Sequence, residues 1–154
     1  SNIIVVLAGK CDEWYKKILI SKAVHYGIEK NIMIIGEVEH HKLAKYYSAA
    51  EVSILPSHQE SFGLVNLESQ ACGTPVVTYD VGGTRSSLLD KKTGFLVKYG
   101  HVDDFCDKIL LLLRDKEKRD KMGSAGVNWV GKNFVWEKNI RKLEAVFAEV
   151  SKKT

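Results

Sequence analysis

The sequence predicts an α/β domain built on a doubly wound parallel sheet. Two observations carry that prediction: short apolar runs, and stretches of helical periodicity that alternate with them. A third gives it a use. Glycine or proline closes several of the runs, which places loops at the carboxyl ends of strands, where such sheets bind ligands. The chain has 154 residues, 45% of them hydrophobic, which suits one domain with its own core.

Residues 3–8 form a continuous, mostly β-branched run closed by Gly9, and read as a strand buried on both faces. Residues 12–27 then read as a helix, with Asp12 as its cap and Trp14, Ile18 and Ala23 toward the core. Residues 32–35 are a second strand, closed by Gly36. Residues 40–50 are a second helix, with Leu43, Tyr46, Tyr47 and Ala50 on one face. A third strand, 52–55, ends at Pro56. The third helix spans 64–72, with Gly73 as its left-handed terminator and Pro75 forbidding continuation. Residues 76–78 and 95–97 are the last two strands. In the helix over 102–113, Val102, Phe105, Cys106, Ile109, Leu110 and Leu113 keep core spacing. Helices near 115–132 and 136–150 complete the chain. Right-handed crossovers would join the strands in parallel.

Charge is uneven. Residues 1–113 carry 12 basic and 13 acidic side chains, and residues 114–154 carry 11 and 6. The basic excess reads as a solvated helical face or as contact with an anionic membrane surface or an acidic neighbour. Nucleic acid is not expected, because no basic-aromatic platform or recognition motif is present. No apolar run reaches the roughly 18 residues of a membrane span. Residues 3–8 lack the basic start and cleavage site of a secretory leader. Cys11, Cys72 and Cys106 show no metal-type spacing and read as buried free thiols of a reducing cytosol. A cytoplasmic location is therefore expected.

The chemistry concentrates in residues 56–77, PSHQESFGLVNLESQACGTPVV. On the third helix, Glu68 falls inside the apolar arc of Leu64, Leu67, Ala71 and Cys72, with Asn66, Ser69 and Gln70 opposite. A buried carboxylate without donors costs several kcal/mol or takes up a proton. The helix alone leaves two sources of donors open: ligand hydroxyls, or an internal cation or amide. The residues before the helix favour the ligand. Ser61-Phe62-Gly63-Leu64 turns into the helix start, whose first amides lack internal partners and carry the positive end of the dipole. Gly63 would let a phosphate approach them. Glu60 stands just outside the turn, so a phosphate would lie between two carboxylates suited to hydroxyl groups. That describes a nucleotide sugar. A glycosidase-type acid/base pair fits less well, because Glu68 on a helix face is poorly exposed to a scissile bond. A metal site is also weak, since the adjacent His40 and His41 do not face one ion easily. Val81-Gly82-Gly83-Thr84 reads as a tight turn or as a second wall of the phosphate site. No dinucleotide fingerprint or P-loop is present.

This stretch, with DVGGT and KKTGFLV, resembles the C-terminal half of retaining glycosyltransferases of the GT-B fold, the group 1 or glycogen-synthase-like family. The family signature is E-x7-E, two glutamates separated by seven residues, here Glu60 and Glu68. The likeness extends to NIMIIGEV, LAKYYSAAEVSILPS and the closing MGSAGVNWVGKNFVWEKNIRKLEAVF, so it covers nearly the whole chain. The resemblance implies a Rossmann-like domain, one half of a GT-B fold, over residues 1–154. It implies that Glu60, the candidate catalytic residue, contacts donor-sugar hydroxyls and that Glu68 holds the ribose. It further implies sugar contacts from the amides of Phe62 and Gly63, beside Ser61, and diphosphate contacts from those of Leu64 and Val65. Glu37 and Val38 match the turn on which the base packs. No metal or other cofactor is implied; the nucleotide diphosphate sugar is the substrate.

The chain also departs from the family pattern. The family's C-terminal half begins with one more strand and helix, carrying an Arg and a Lys that clamp the diphosphate. These precede the first residue here, as does the N-terminal half that supplies the acceptor site. Glu51 stands where Asp is common, and Arg85-Ser86-Ser87 follow VGGT where a Glu is common. Arg85 is the candidate substitute for the lost cations. The expected protein is thus the donor-binding part of a longer transferase, inactive alone, cytoplasmic or peripheral to the inner face of the membrane, with a glycan or lipid acceptor left unspecified. The alternatives are a sugar-nucleotide epimerase of GT-B shape and a non-catalytic nucleotide-sugar-binding domain.

Overall fold

A computed structural model describes residues 3–151. The termini of the expected 1–154 domain, residues 1, 2 and 152–154, lie outside the described residues. The architecture is Rossmann-like α/β with parallel strands throughout the described residues. The chain divides into two units, Ser1–Leu43 and Ala44–Thr154.

The first unit pairs β1 (Val5–Ala8) with β2 (Ile32–Gly36) in parallel, with a register shift between Leu7 and Ala8. Helix α1 (Glu13–His25) connects them, followed by a 3-10 turn at Glu29–Asn31. Asp12 precedes α1 in extended backbone, as expected of a cap, but makes no side-chain capping bond. Burial on both faces of β1 is not observed. Val5 and Leu7 are half-buried, while Val6 and Ala8 are exposed. Ala23 is the only buried residue among those described in this unit. A continuous apolar run signals burial only when the sheet is covered twice.

The second unit starts within α2 (His40–Ala49) and adds a parallel sheet in the order β3 (Ser53–Leu55), β4 (Val76–Asp80), β5 (Gly94–Lys98). β4 is paired on both sides and buried along most of its length. Val77, Tyr79, Phe95 and Val97 form the core with Phe105 and Leu112 of α4 (Val102–Arg114) and Met122 of α5 (Lys116–Asn133). The apolar stripe of α4 is narrower than its spacing implies. Val102 is 60% exposed and Cys106 is exposed, whereas Leu112, outside the expected set, is fully buried. Among the described residues all three cysteines are free thiols, and Cys11 and Cys72 are half-buried. Asp115 caps α5, its Oδ1 accepting from the Lys118 amide at 2.9 Å.

Helix α3 (Leu64–Ala71) ends as its sequence demands. Gly73 has φ +81°; its amide donates to Gln70 O at 3.0 Å and that of Thr74 to Ser69 O at 3.1 Å. That is a Schellman termination. Helix α5 then docks on α3 through glycines. A Cβ on Gly123 would lie 2.0 Å from Gly73 O, and one on Gly126 would lie 3.1 Å from Gln70 Cβ. The final helix, α6 (Trp136–Ser151), leaves Trp136 78% exposed along with Ile140, Leu143, Phe147 and Val150.

Candidate functional site

Of the apolar arc expected on α3 only Leu67 is buried; the rest of the buried face is the polar side. Leu64 is 65% exposed, whereas Asn66, Ser69 and Gln70 are all at 0%. Polar side chains can be buried when they find partners, and here a following loop supplies them. Asn66 Nδ2 donates to Ser87 Oγ at 3.0 Å, and Gln70 Nε2 donates to Asn66 O at 2.6 Å and Ser87 O at 2.8 Å. Ser69 Oγ donates to Thr74 O at 3.0 Å. Two buried acceptors, Asn66 Oδ1 and Gln70 Oε1, have no partner among the described residues.

The start of α3 has the expected geometry. Gly63 is the N-cap in the left-handed region, φ +87°. The reason for glycine differs from the sequence reading. A Cβ there would sit 2.7 Å from Ser87 Oγ and 2.8 Å from Asn66 Nδ2, so internal packing claims that space, not ligand approach. The amide of Asn66 closes the first turn onto Gly63 O at 2.9 Å. Leu64 and Val65, the first helical residues, have no intrahelical carbonyl for their amides, which therefore carry the positive end of the dipole. Glu60, half-buried, folds back so that its Oε1 accepts from the Gly63 amide at 3.2 Å. Ser61 is exposed. The Phe62 ring packs at 6.0 Å from Phe134, which in turn lies 5.0 Å from Trp129.

The double-glycine loop braces the Glu60 loop backbone to backbone. The Gly83 amide donates to Glu60 O at 2.9 Å. Added Cβ atoms would fall 2.0 Å from Glu60 O at Gly82 and 2.1 Å from Ser61 O at Gly83. The turn itself is held by Thr84, fully buried, whose Oγ1 donates toward Tyr79 O at 3.0 Å and Val81 O at 2.9 Å and accepts from the Val81 amide at 3.1 Å. Arg85, offered as a substitute cation, is ion-paired with Asp80.

Glu68 is half-buried on the flank of α3, and Tyr47 Oη donates to its Oε2 at 3.1 Å. The donor is a neutral phenol. Burial first, then the charge of Glu68, pushes the Tyr47 phenol well above its ordinary value of 10.0. The folded state therefore keeps a proton that the unfolded chain releases at alkaline pH. The contribution to stability is complete below about pH 10 and declines as the pH rises beyond it. Urea unfolding at about pH 8 and about pH 10.5 is expected to show a larger loss for the natural chain than for Tyr47→Phe. The sequence places Tyr47 only on a helix face; its chemistry depends on a partner 21 residues away. Glu37, exposed, and Val38, half-buried, follow β2 in the first unit, just after Gly36 at φ +70°. Among the described residues no three His, Cys, Asp or Glu side chains cluster as metal ligands would, and no helix is long and apolar enough to cross a membrane.

The α3 start thus carries unpartnered amides, with Glu60 folded onto the Gly63 amide before it and Glu68 on the helix flank against Tyr47. Comparison with known proteins decides the family. The model of the family described as "Glycosyl transferases group 1" matches residues 1–129. This chain belongs to the group 1 glycosyltransferases. It is 38% identical over 127 residues to the D-inositol 3-phosphate glycosyltransferase of Xylanimonas cellulosilytica, covering 82% of this chain and 30% of that protein. With the same enzyme of Thermobifida fusca it shares 32% identity over 149 residues, 96% of this chain and 34% of that protein. The chain thus spans about a third of the length of the curated relatives it matches. Among solved structures, sucrose-phosphate synthase from Thermosynechococcus elongatus superposes with a TM-score of 0.87 at 28% identity, covering 97% of this chain and 39% of that one. The HepE protein of Anabaena, solved in complex with UDP-glucose, gives a TM-score of 0.86 at 21% identity, with 95% and 41% covered, a likeness of fold. The group 1 assignment read from the motif stretch is therefore borne out, as is the Rossmann-like α/β class.

Proposed function

We propose that this chain is the donor-binding domain of a retaining, metal-independent glycosyltransferase that uses the E-x7-E pair Glu60 and Glu68. The observation that carries the reading is the α3 start, where the amides of Leu64 and Val65 lack internal partners beside the Glu60 carboxylate. A diphosphate is the leaving group whose growing charge such amides stabilise. Glu68 takes the ribose hydroxyls and Glu60 those of the sugar. In the transfer, the bond from sugar C1 to the diphosphate breaks. The acceptor oxygen bonds C1 on the same face, and its proton passes to the leaving phosphate. The acceptor, a glycan or lipid, binds outside these 154 residues, which accordingly bind donor without transferring it. The parent works in the cytoplasm, at the inner face of the membrane where the acceptor is a lipid.

Titration calorimetry with UDP, GDP, ADP and their hexose conjugates tests this. One nucleotide is expected to bind, and Glu68→Gln to weaken it about tenfold, the loss of one good hydrogen bond. Glu60→Gln is expected to weaken the sugar conjugate and leave the bare nucleotide unchanged. Absence of binding to all three nucleotides overturns the assignment.

A further inference from the structure

We propose that Tyr47 is a positioning residue for the nucleotide, fixing the Glu68 carboxylate in the orientation that grips the ribose. The inference rests on the donor-site reading above and extends it to a residue outside the E-x7-E motif. Tyr47 is held to α3 at both ends. Its phenol donates to Glu68 Oε2 at 3.1 Å, and its main-chain carbonyl accepts from Thr74 Oγ1 at 2.6 Å. That carbonyl lies in the last turn of α2, where it also accepts from the Ala50 amide at 3.1 Å. Thr74 is buried and is itself bound into the α3 terminus through Ser69, by its amide at 3.1 Å and its carbonyl at 3.0 Å. Phenol, carboxylate and helix end form one closed frame.

A glutamate on a helix flank has several rotatable bonds. Holding vicinal hydroxyls with both carboxylate oxygens requires one arrangement of them. A fixed donor on one oxygen selects that arrangement before the ligand arrives, which lowers the ordering cost of binding. A phenol suits the task. A lysine would neutralise the carboxylate and compete with the ribose, whereas a neutral donor orients the charge and preserves it. The high proton affinity of Tyr47 keeps it a donor across the physiological range.

The test separates orientation from simple bracing by using two ligands, UDP and inorganic pyrophosphate, which has no ribose. With Tyr47→Phe, UDP affinity is expected to fall about five- to tenfold and pyrophosphate affinity to stay unchanged. In a Glu68→Ala background, Tyr47→Phe is expected to add nothing. Thr74→Val, which keeps the phenol and releases its carbonyl tie, gives a second reading if Tyr47→Phe does not fold: UDP weakens about two- to threefold and pyrophosphate does not. Unchanged UDP affinity in Tyr47→Phe overturns the inference, as does an equal loss for both ligands, which marks a brace. If Glu68→Ala itself leaves UDP affinity intact, the donor-site reading fails and the inference falls with it.

Discussion

Gly123→Ala is expected to destabilise the second unit by about 3 kcal/mol or more. The added methyl carbon would stand 2.0 Å from Gly73 O and 3.0 Å from Gly73 C. Both atoms are backbone, and Gly73 is committed to the left-handed terminator of α3, so neither side can yield by a rotamer change. Helix α5 would have to lift, drawing Met122 out of the core. The same helix supplies its own controls. Gly126 stands 3.1 Å from Gln70 Cβ and 3.3 Å from Gln70 O, a tight approach that a shift of a few tenths of an ångström relieves, and alanine there is expected to cost about 1 kcal/mol. Gly131 has nothing within 4 Å of its Cβ position, so alanine there should stabilise the helix by roughly 0.5–1 kcal/mol. Urea unfolding of the three variants checks the order. Equal effects at Gly123 and Gly131 would show that the close approach of α5 to α3 is not real.

Gly83→Ala is expected to reduce nucleotide-sugar affinity about 100-fold while leaving the unit folded. Gly83 has no positive φ, so alanine meets no backbone strain of its own. The conflict is with the neighbouring loop, 2.1 Å from Ser61 O and 3.0 Å from Phe62 Cα. The loop is exposed at Ser61 and can retreat, but in doing so it carries the Glu60 backbone off the Gly83 amide and disturbs the turn at Gly63. Losing two or three of the polar contacts that this loop positions, each worth about 1–1.5 kcal/mol, accounts for a loss of this size. Circular dichroism should report a retained fold, and calorimetry the weakened donor. Full affinity in Gly83→Ala would mean that the brace does not shape the site.

These expectations show what the sequence could and could not convey. The strands and most helix ends were legible, because each is decided by neighbours along the chain: apolar runs, Gly73 as terminator, Pro75 as barrier. The burial of the polar side of α3 was not. Periodicity assumes that apolar residues face inward, whereas Asn66 and Gln70 are buried by Ser87, which only the folded chain brings near. The exposure of Cys106 is illegible for the same reason: spacing shows that a stripe exists, not how wide a face its neighbour covers. Glu60, Gly63 and Glu68 were legible as candidates from motif spacing. Tyr47 was not, since a tyrosine on an apolar helix face carries no mark of the carboxylate it will meet.

The hydrogen bond between the Gly83 amide and Glu60 O links positions 23 residues apart, and it makes the signature stretch dependent on another loop for its shape. A chimera that imported residues 56–65 into a related scaffold would carry the letters of the motif without its mould. Residues 81–84 would have to travel with them. Grafting the two loops together, and not residues 56–65 alone, is the exchange that would carry over the shape of the Glu60 turn.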